Sequence, residues 1–254
     1  MTWDPSQYER FKDQRSRPFF DLLALVQAIP GGRAIDLGCG TGELTQLLHR
    51  RAEAAETVGL DSSAEMLGRS GPFARDGLSF IRGDIGDFSD TDRWDLIFSN
   101  AALHWLPDHP ALLSRLARAL RAGGQLAVQV PANHDHVAHR TARAVAQEEP
   151  FLSATGGLPA SPLLAPEEYA RLLHRLGFSE QSVRLQVYGH TLGSRDEVIE
   201  WVKGTTLTPL RARLDDAGWA RFLERYREAL LPQLEDTRPY FYTFKRVLFW
   251  ARRV

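Results

Sequence analysis

The sequence is nearly devoid of cysteine: Cys39 is its single thiol. No intrachain disulfide can form, which suits a reducing compartment. It also lacks a long hydrophobic run. The most apolar early stretch, Pro18 to Ile29, is broken by Asp21 and Gln27 and falls far short of the ~20 apolar residues a spanning helix needs. The first seventeen residues carry Asp4, Glu9, Arg10, Lys12, Asp13, Arg15 and Arg17, so no signal-type apolar core can form there. A cytoplasmic protein without a membrane partner is expected. Charge of one sign is missing too: 31 Lys and Arg face 32 Asp and Glu, for a net charge of -1. Nucleic-acid binders usually show a basic excess, so none is expected as a partner. No Gly-Lys-Ser/Thr follows a glycine-rich loop and no Gly-x-Ser-x-Gly occurs, which excludes a P-loop and a serine-hydrolase elbow. Internal repeats and low-complexity tracts are absent as well.

What the chain does have is 254 residues, 43% of them hydrophobic. A chain of this length buries roughly three quarters of its unfolded surface, so it needs neither disulfides nor a structural metal. Up to Pro131, short apolar runs alternate with helical patterns. Strands are expected at Arg33–Leu37, Thr57–Leu60, Leu78–Ile81, Trp94–Phe98 and Gly124–Val130. Helices are expected at Glu43–Arg51, Ser63–Arg69 and His109–Arg121, the last with Leu112, Leu113, Leu116 and Leu120 on one face. Strict alternation predicts an α/β fold, a Rossmann-like, doubly wound, mostly parallel sheet of seven strands with helices on both faces.

Beyond Pro131 the pattern changes. His134–Glu149 reads as a helix and Phe151–Pro166, rich in Gly, Pro and Ser, as a loop. Pro166–Leu176 starts on proline and stops before Gly177, as helix punctuation should. Val183–Tyr188 is expected as a sixth strand and Tyr242–Ala251 as a closing one. Between them, Arg195–Val202, Pro209–Leu214 and Asp216–Leu231 read as helices forming a C-terminal cap. The expected organisation is one domain over 1–254: an N-terminal arm and first helix at 1–30, a cofactor-binding core at 31–131, and a substrate-side half at 132–254.

The strongest motif is Asp36-Leu37-Gly38-Cys39-Gly40-Thr41-Gly42-Glu43, lying between a strand and a helix. Glycine tolerates positive φ and lets backbone approach a ligand, and open α/β sheets bind ligands at this end of their strands. A dinucleotide fingerprint would place glycine where Glu43 stands, and a carboxylate there repels a pyrophosphate. Asp36 before Gly-x-Gly-x-Gly instead fits S-adenosylmethionine, whose sulfonium and ammonium suit acidic neighbours. Asp61, about 20 residues beyond the glycines, is placed to accept from both ribose hydroxyls. Its rival role is to cap the helix after it, with Ser62 or Ser63 as other caps. Ser62 and Met66 complete this side. Gly83-Asp84-Ile85 follows the third strand, where a carboxylate can accept from an exocyclic amine and Ile85 can pack on a ring; Gly-Asp is also an ordinary turn pair. Ser99 and Asn100 close the fourth strand beside the transferable methyl, and His104 and Trp105 follow as substrate-side candidates. Core packing is the other reading of Trp105. His134, His136 and His139 match no metal-ligand spacing, and no metal is expected.

With these residues in place the chain resembles the class I S-adenosylmethionine-dependent methyltransferases and, more narrowly, the trans-aconitate 2-methyltransferase family. The resemblance spans nearly the whole chain. It rests on Trp3-Asp4-Pro5-x-x-Tyr8-x-x-Phe11, Arg15-Ser16-Arg17-Pro18, Asp36–Gly40, Gly59–Ser63, Asn100-Ala101, Trp105–His109, Leu126–Pro131, Trp201-Val202 and Phe244-Lys245-Arg246. The family usually shows Phe-Pro-Arg at the last of these, and Phe151–Ser161 matches nothing in it. The resemblance implies methyl-ester formation on a carboxylate of a small tricarboxylic acid, with S-adenosylhomocysteine as second product. Arg17, His104 and Arg246 would then clamp acceptor carboxylates, with Tyr8, Tyr240 and Tyr242 as neutral donors. Other readings are a carboxyl methyltransferase acting on a different small or carrier-bound acid, a non-catalytic S-adenosylmethionine-binding module, and a nicotinamide dehydrogenase, which Glu43 disfavours.

Overall fold

The computed structural model describes residues 12–253, and side chains from Arg17 onward. Seven strands form one sheet in the order β3-β2-β1-β4-β5-β7-β6. They are β1 (Arg33–Leu37), β2 (Glu56–Asp61), β3 (Leu78–Arg82), β4 (Trp94–Asn100), β5 (Leu120–Pro131), β6 (Phe178–Leu192) and β7 (Tyr240–Arg253). The first five strands pair in parallel, and β7 pairs antiparallel to β5. The doubly wound sheet expected from the alternation is therefore present. Chain order reverses where β1 lies between β2 and β4, which is where sheets of this kind open a crevice for ligands.

The chain divides into two compact units. One comprises residues 16–131, 162–186 and 246–254. Strands β1, β2, β4 and β5 are largely buried on both sides, as parallel strands usually are, whereas β3 is mostly exposed. Alternation sends Ala34, Leu96, Phe98, Ala127, Leu248 and Trp250 to one face, where they pack with Phe19, Leu22 and Leu48. Residues of the other parity, such as Ile97, Val128 and Phe249, are equally buried, and Tyr169 lies over the Phe249 ring. Two period-2 apolar faces are the reason helices are needed on both sides.

The described residues of the second unit are 12–15, 132–161 and 187–245. Its core gathers Trp201, Phe222, Tyr226, Tyr242 and Phe244 with Ala138 and Ala142. Helix Asp216–Leu230 is capped by Asp215, whose carboxylate accepts from the Gly218 amide at 2.7 Å.

Several boundaries differ from the sequence reading. The helix expected over His134–Glu149 spans only Val137–Val145, because His136 turns its Nδ1 to the Ala138 amide and caps it. The expected Phe151–Pro166 loop opens with a short helix, Phe151–Thr155, anchored by the buried Phe151 ring against Phe222. β6 is far longer than Val183–Tyr188. Most of its residues are exposed or half-buried, and its first half holds the polar run Ser179–Ser182, which hides its start from the sequence. The helix expected at Pro209–Leu214 is the single turn Thr208–Arg211.

Candidate active site

The glycine-rich loop leaves β1 and is folded on its own hydrogen bonds. The Gly38 and Cys39 amides both donate to the Leu60 carbonyl, at 2.8 and 3.1 Å, and Gly42 donates to the Cys39 carbonyl. The Gly40 amide donates to Asp61 Oδ2 at 2.8 Å. A phosphate-binding loop needs such N–H groups free to face the anion; here they are committed inward. What the loop adjoins instead is two carboxylates, Asp36 and Asp61. Asp36 is 4% exposed, and Thr45 donates to its Oδ2 at 2.7 Å. Burial raises its pKa to about 7, against the Thr45 hydrogen bond, with the Asp61 charge adding to the rise. These acidic acceptors suit a cationic ligand.

Packing explains two of the three glycines. Gly38 has φ +83°, and a Cβ there would overlap the Ala102 Cβ; a Cβ on Gly42 would lie 2.5 Å from the Phe80 ring. Gly40 sits at φ +58°, and among the described residues its side-chain space is bordered only by the terminal methyl of Met66, at 3.2 Å. Ile85 approaches the Gly38 position to 3.8 Å. The fold thus brings Gly38, Gly40, Met66 and Ile85 to one place and leaves room at Gly40 that a ligand can share. Cys39 is buried, its sulfur turned toward Gly59, and burial pushes its thiol pKa up. It is a wall rather than a nucleophile.

Asp61 takes one backbone amide on each oxygen, Gly40 at 2.8 Å and Ser63 at 2.9 Å. Each oxygen keeps a further acceptor site. The cap of helix Ala64–Leu67 is Ser63, whose Oγ accepts from the Met66 amide, so Asp61 is not needed there. Ser62 is exposed and its carbonyl accepts from Arg82. The Gly83 amide binds the Asp61 carbonyl, and exposed Asp84 closes a turn by accepting from Gly86. Ser99 spends its hydroxyl on the Leu37 carbonyl at 2.8 Å, bracing β4 to β1.

Asn100 ends β4, and Ala101 after it sits at φ +56°. Strained non-glycine backbone of this kind clusters at functional sites. The turn Leu103–Trp105 follows. Trp105 is 56% exposed and lies against the His104 ring, centroids 4.6 Å apart; it is not a core residue. Burial pushes the His104 pKa down to about 3, helped by the positive Arg246 and by His109. His104 is therefore a neutral hydrogen-bonding group, not the cation the acceptor reading allowed. Arg246 is buried on β7 opposite Pro131 and donates to Gln129 Oε1 at 3.4 Å. Arg17 is exposed on helix Lys12–Leu23. Tyr8 lies outside the described residues. Tyr240 and Tyr242 belong to the second unit and are buried in its aromatic core.

Residues 8–183 match the family model for a methyltransferase domain. Over its full length the chain is 49% identical to a trans-aconitate 2-methyltransferase of Deinococcus radiodurans, of which 99% is covered. It is 39% identical to one from Mycobacterium sp. strain KMS, covering 98% of this chain and 99% of that one. Among solved structures, the YcgJ protein of Bacillus subtilis matches with a TM-score of 0.62 at 16% identity, over 93% of this chain and 97% of that one. An S-adenosylmethionine-dependent methyltransferase of Mesorhizobium loti matches at 0.52 and 22% identity, over 92% and 97%. The chain belongs to the trans-aconitate 2-methyltransferase family. It is a class I S-adenosylmethionine-dependent methyltransferase.

For a member of this family, three features escaped the sequence reading. Ala102 packs on Gly38 and couples the turn after β4 to the cofactor loop. His109 and Tyr169 form a buried pair under the Leu103–Trp105 turn. Gln129 stands among apolar residues in β5, and a polar residue inside an apolar run was the available signal. His134, His136 and His139 belong to the second unit. His136 meets the Tyr242 ring edge-on and His139 packs against Phe244. Among the described residues no group of three or more His, Cys, Asp or Glu is placed to hold a metal ion, and no helix is long and apolar enough to cross a membrane.

Proposed function

We propose that this methyltransferase esterifies a carboxylate of a small tricarboxylic acid, trans-aconitate, and releases S-adenosylhomocysteine. The observation that carries the reading is the buried Arg246 guanidinium beside the ends of β4 and β5, in a chain 49% identical throughout to an enzyme named for that acceptor. Arg binds both oxygens of a carboxylate at once, and an anion is what a buried guanidinium recruits.

On the cofactor side, Asp61 uses its remaining lone pairs for the ribose hydroxyls, and Met66 and Ile85 flank the adenosine. Asp36 and Asp61 set a negative potential for the cationic half. Gly83, Asp84, Ser62 and Ser99 act by holding the surrounding loops. When bound, S-adenosylmethionine supplies a methyl group made electrophilic by its sulfonium. The chain's own residues have little bond chemistry to do. An acceptor carboxylate is ionised at neutral pH, so no general base is required. That agrees with a His104 held neutral beside Arg246: it donates or accepts one hydrogen bond without competing for a proton. Positioning oxygen against the methyl is the main task, and Arg246, His104, Trp105 and Asn100 perform it. Arg17 adds positive charge near the chain start.

The test uses purified protein, methyl-labelled S-adenosylmethionine and a panel of di- and tricarboxylates. Label in a base-labile ester, highest with trans-aconitate, is the expected result. Cofactor binding without transfer to any acid would overturn the acceptor and leave the fold intact.

A further inference from the structure

Strand β5 buries two glutamines, and they are treated differently. Gln125 is fully served: its Oε1 accepts from Trp250 Nε1 at 2.8 Å and from the Gln27 amide at 2.9 Å, and its Nε2 donates to the Gln27 carbonyl at 2.9 Å. Gln129 is as deeply buried, at 0% exposure, between Val128 and Val130. Its Oε1 takes only the long contact from Arg246, and its Nε2 has no acceptor among the described residues. A buried amide hydrogen without a partner is costly, and each such group in a native structure calls for an explanation.

Its surroundings supply one. Asn100 and Gln129 are register partners across β4 and β5, and Arg246 pairs with Pro131, two residues further along β5. By strand alternation Asn100, Gln129 and Arg246 share one face, at the end of β4 and β5. Asn100 Oδ1 and His104 Nδ1 are likewise buried without a partner among the described residues. The unserved Gln129 amide donor beside a guanidinium describes a subsite for a small polar anion; Asn100 Oδ1, which can only accept, takes no part in holding the charge.

We propose that Gln129 is a specificity-determining residue of the acceptor site: its Nε2 donates to the carboxylate that Arg246 holds, while its Oε1 keeps the guanidinium aimed. The proposal rests on the acceptor reading given above and adds to it the residue that counts carboxylates. One oxygen of the bound carboxylate meets Arg246 and the other meets the Gln129 amide. A site built to hydrogen-bond a substrate group discriminates strongly against analogues lacking it, because its buried polar atoms then stay unpaired. An acid without the matching carboxylate leaves Gln129 in that condition. A glutamate at this position would be isosteric but would neutralise Arg246 and repel the acceptor, so the neutral amide is required.

The experiment compares wild type with Gln129→Glu and the volume-conserving Gln129→Met. Readouts are kcat and KM for trans-aconitate and for a dicarboxylate, and calorimetric binding of both acids and of S-adenosylhomocysteine. Gln129→Glu is expected to raise the trans-aconitate KM roughly a hundredfold or more, with S-adenosylhomocysteine affinity held within about twofold because no cofactor contact is lost. Gln129→Met is expected to raise it roughly tenfold while moving the dicarboxylate little, so that the preference between acids collapses. If Gln129→Glu does not fold, Gln129→Met carries the test. Unchanged KM and unchanged preference in the variants would overturn the proposal. If wild type transfers no methyl to any acid, the acceptor reading fails. Binding of the acids to protein loaded with S-adenosylhomocysteine then decides the role of Gln129: tricarboxylate binding that the variants lose supports it, and no binding by wild type overturns it.

Discussion

Tyr169 Oη lies 2.6 Å from His109 Nδ1, and His109 Nε2 lies 3.1 Å from the Leu103 carbonyl oxygen. A carbonyl only accepts, so Nε2 carries the proton. Burial pushes the His109 pKa down, leaving the ring neutral and Nδ1 as the acceptor of the tyrosine hydrogen. The relay fixes the turn that presents His104 and Trp105 from behind. Tyr169→Phe keeps the ring against Phe249 and removes only the hydroxyl. It leaves a buried acceptor unserved, at about 1–3 kcal/mol, or roughly 2–12 °C in Tm for a chain this size. Melting curves check that figure. Methyl transfer should fall several-fold at unchanged cofactor affinity; cofactor affinity falling in step with activity would mean the relay supports the whole sheet end instead.

Gly38→Ala should abolish cofactor binding. The new Cβ overlaps Ala102 while the backbone stays at φ +83°, and the left-handed conformation alone costs about 1–2 kcal/mol per non-glycine residue. Adding Ala102→Gly removes the overlap and not the strain. The double variant should regain stability by thermal melting, though not to the wild-type value. Full recovery would show that only packing demands glycine here.

The sheet was legible because β1, β4 and β5 are short apolar runs separated by helical patterns, and because strand period and helix period differ plainly. The cofactor loop was legible for a related reason: glycines at fixed spacing after a strand are hard to mistake. β6 was legible only over Val183–Tyr188, since it opens with the polar, exposed run Ser179–Ser182. The Phe151–Thr155 helix was hidden by the Gly- and Pro-rich residues that follow it. On the acceptor side the sequence named Arg246 and His104 but could not show that burial keeps His104 neutral, since that depends on the strands that enclose it. Gln129 stood in view inside Leu126–Pro131. What distinguishes it from Gln125 is which partners each amide finds, and pairing between distant segments is written only in the fold.

Asp61 has two duties, and substitution can separate them. Asp61→Ala removes the acceptor for the Gly40 and Ser63 amides as well as the proposed ribose contacts. Cofactor affinity should drop roughly tenfold or more, since hydrogen bonds to a charged group are worth about 1.5–3 kcal/mol. Ser63→Ala removes only the cap of helix Ala64–Leu67, a loss of about 0.5–2 kcal/mol of stability. It should lower Tm while leaving affinity nearly intact. Calorimetry and thermal melting on both variants check this. Equal affinity losses would assign Asp61 a loop-holding role alone.

Asp36 should give the protein two pH dependences of opposite sign. Burial holds its carboxyl at about 7 in the folded chain, whereas an unfolded aspartate titrates at about 3.9. Between those values the folded chain binds a proton that the unfolded chain has released. The ligand-free protein therefore loses stability as pH rises from about 4 to about 7, and the loss levels off above that. A cationic ligand beside Asp36 favours the ionised form, so cofactor affinity should instead rise across the same upper range, with a proton released on binding. Melting curves of the free protein at pH 5 and pH 8, and calorimetry in buffers of different ionisation enthalpy, read the two effects separately. Asp36→Asn should flatten both. A variant that keeps the wild-type pH profile in either measurement would show that some other group titrates, and that the loop's attraction for a cation does not come from Asp36.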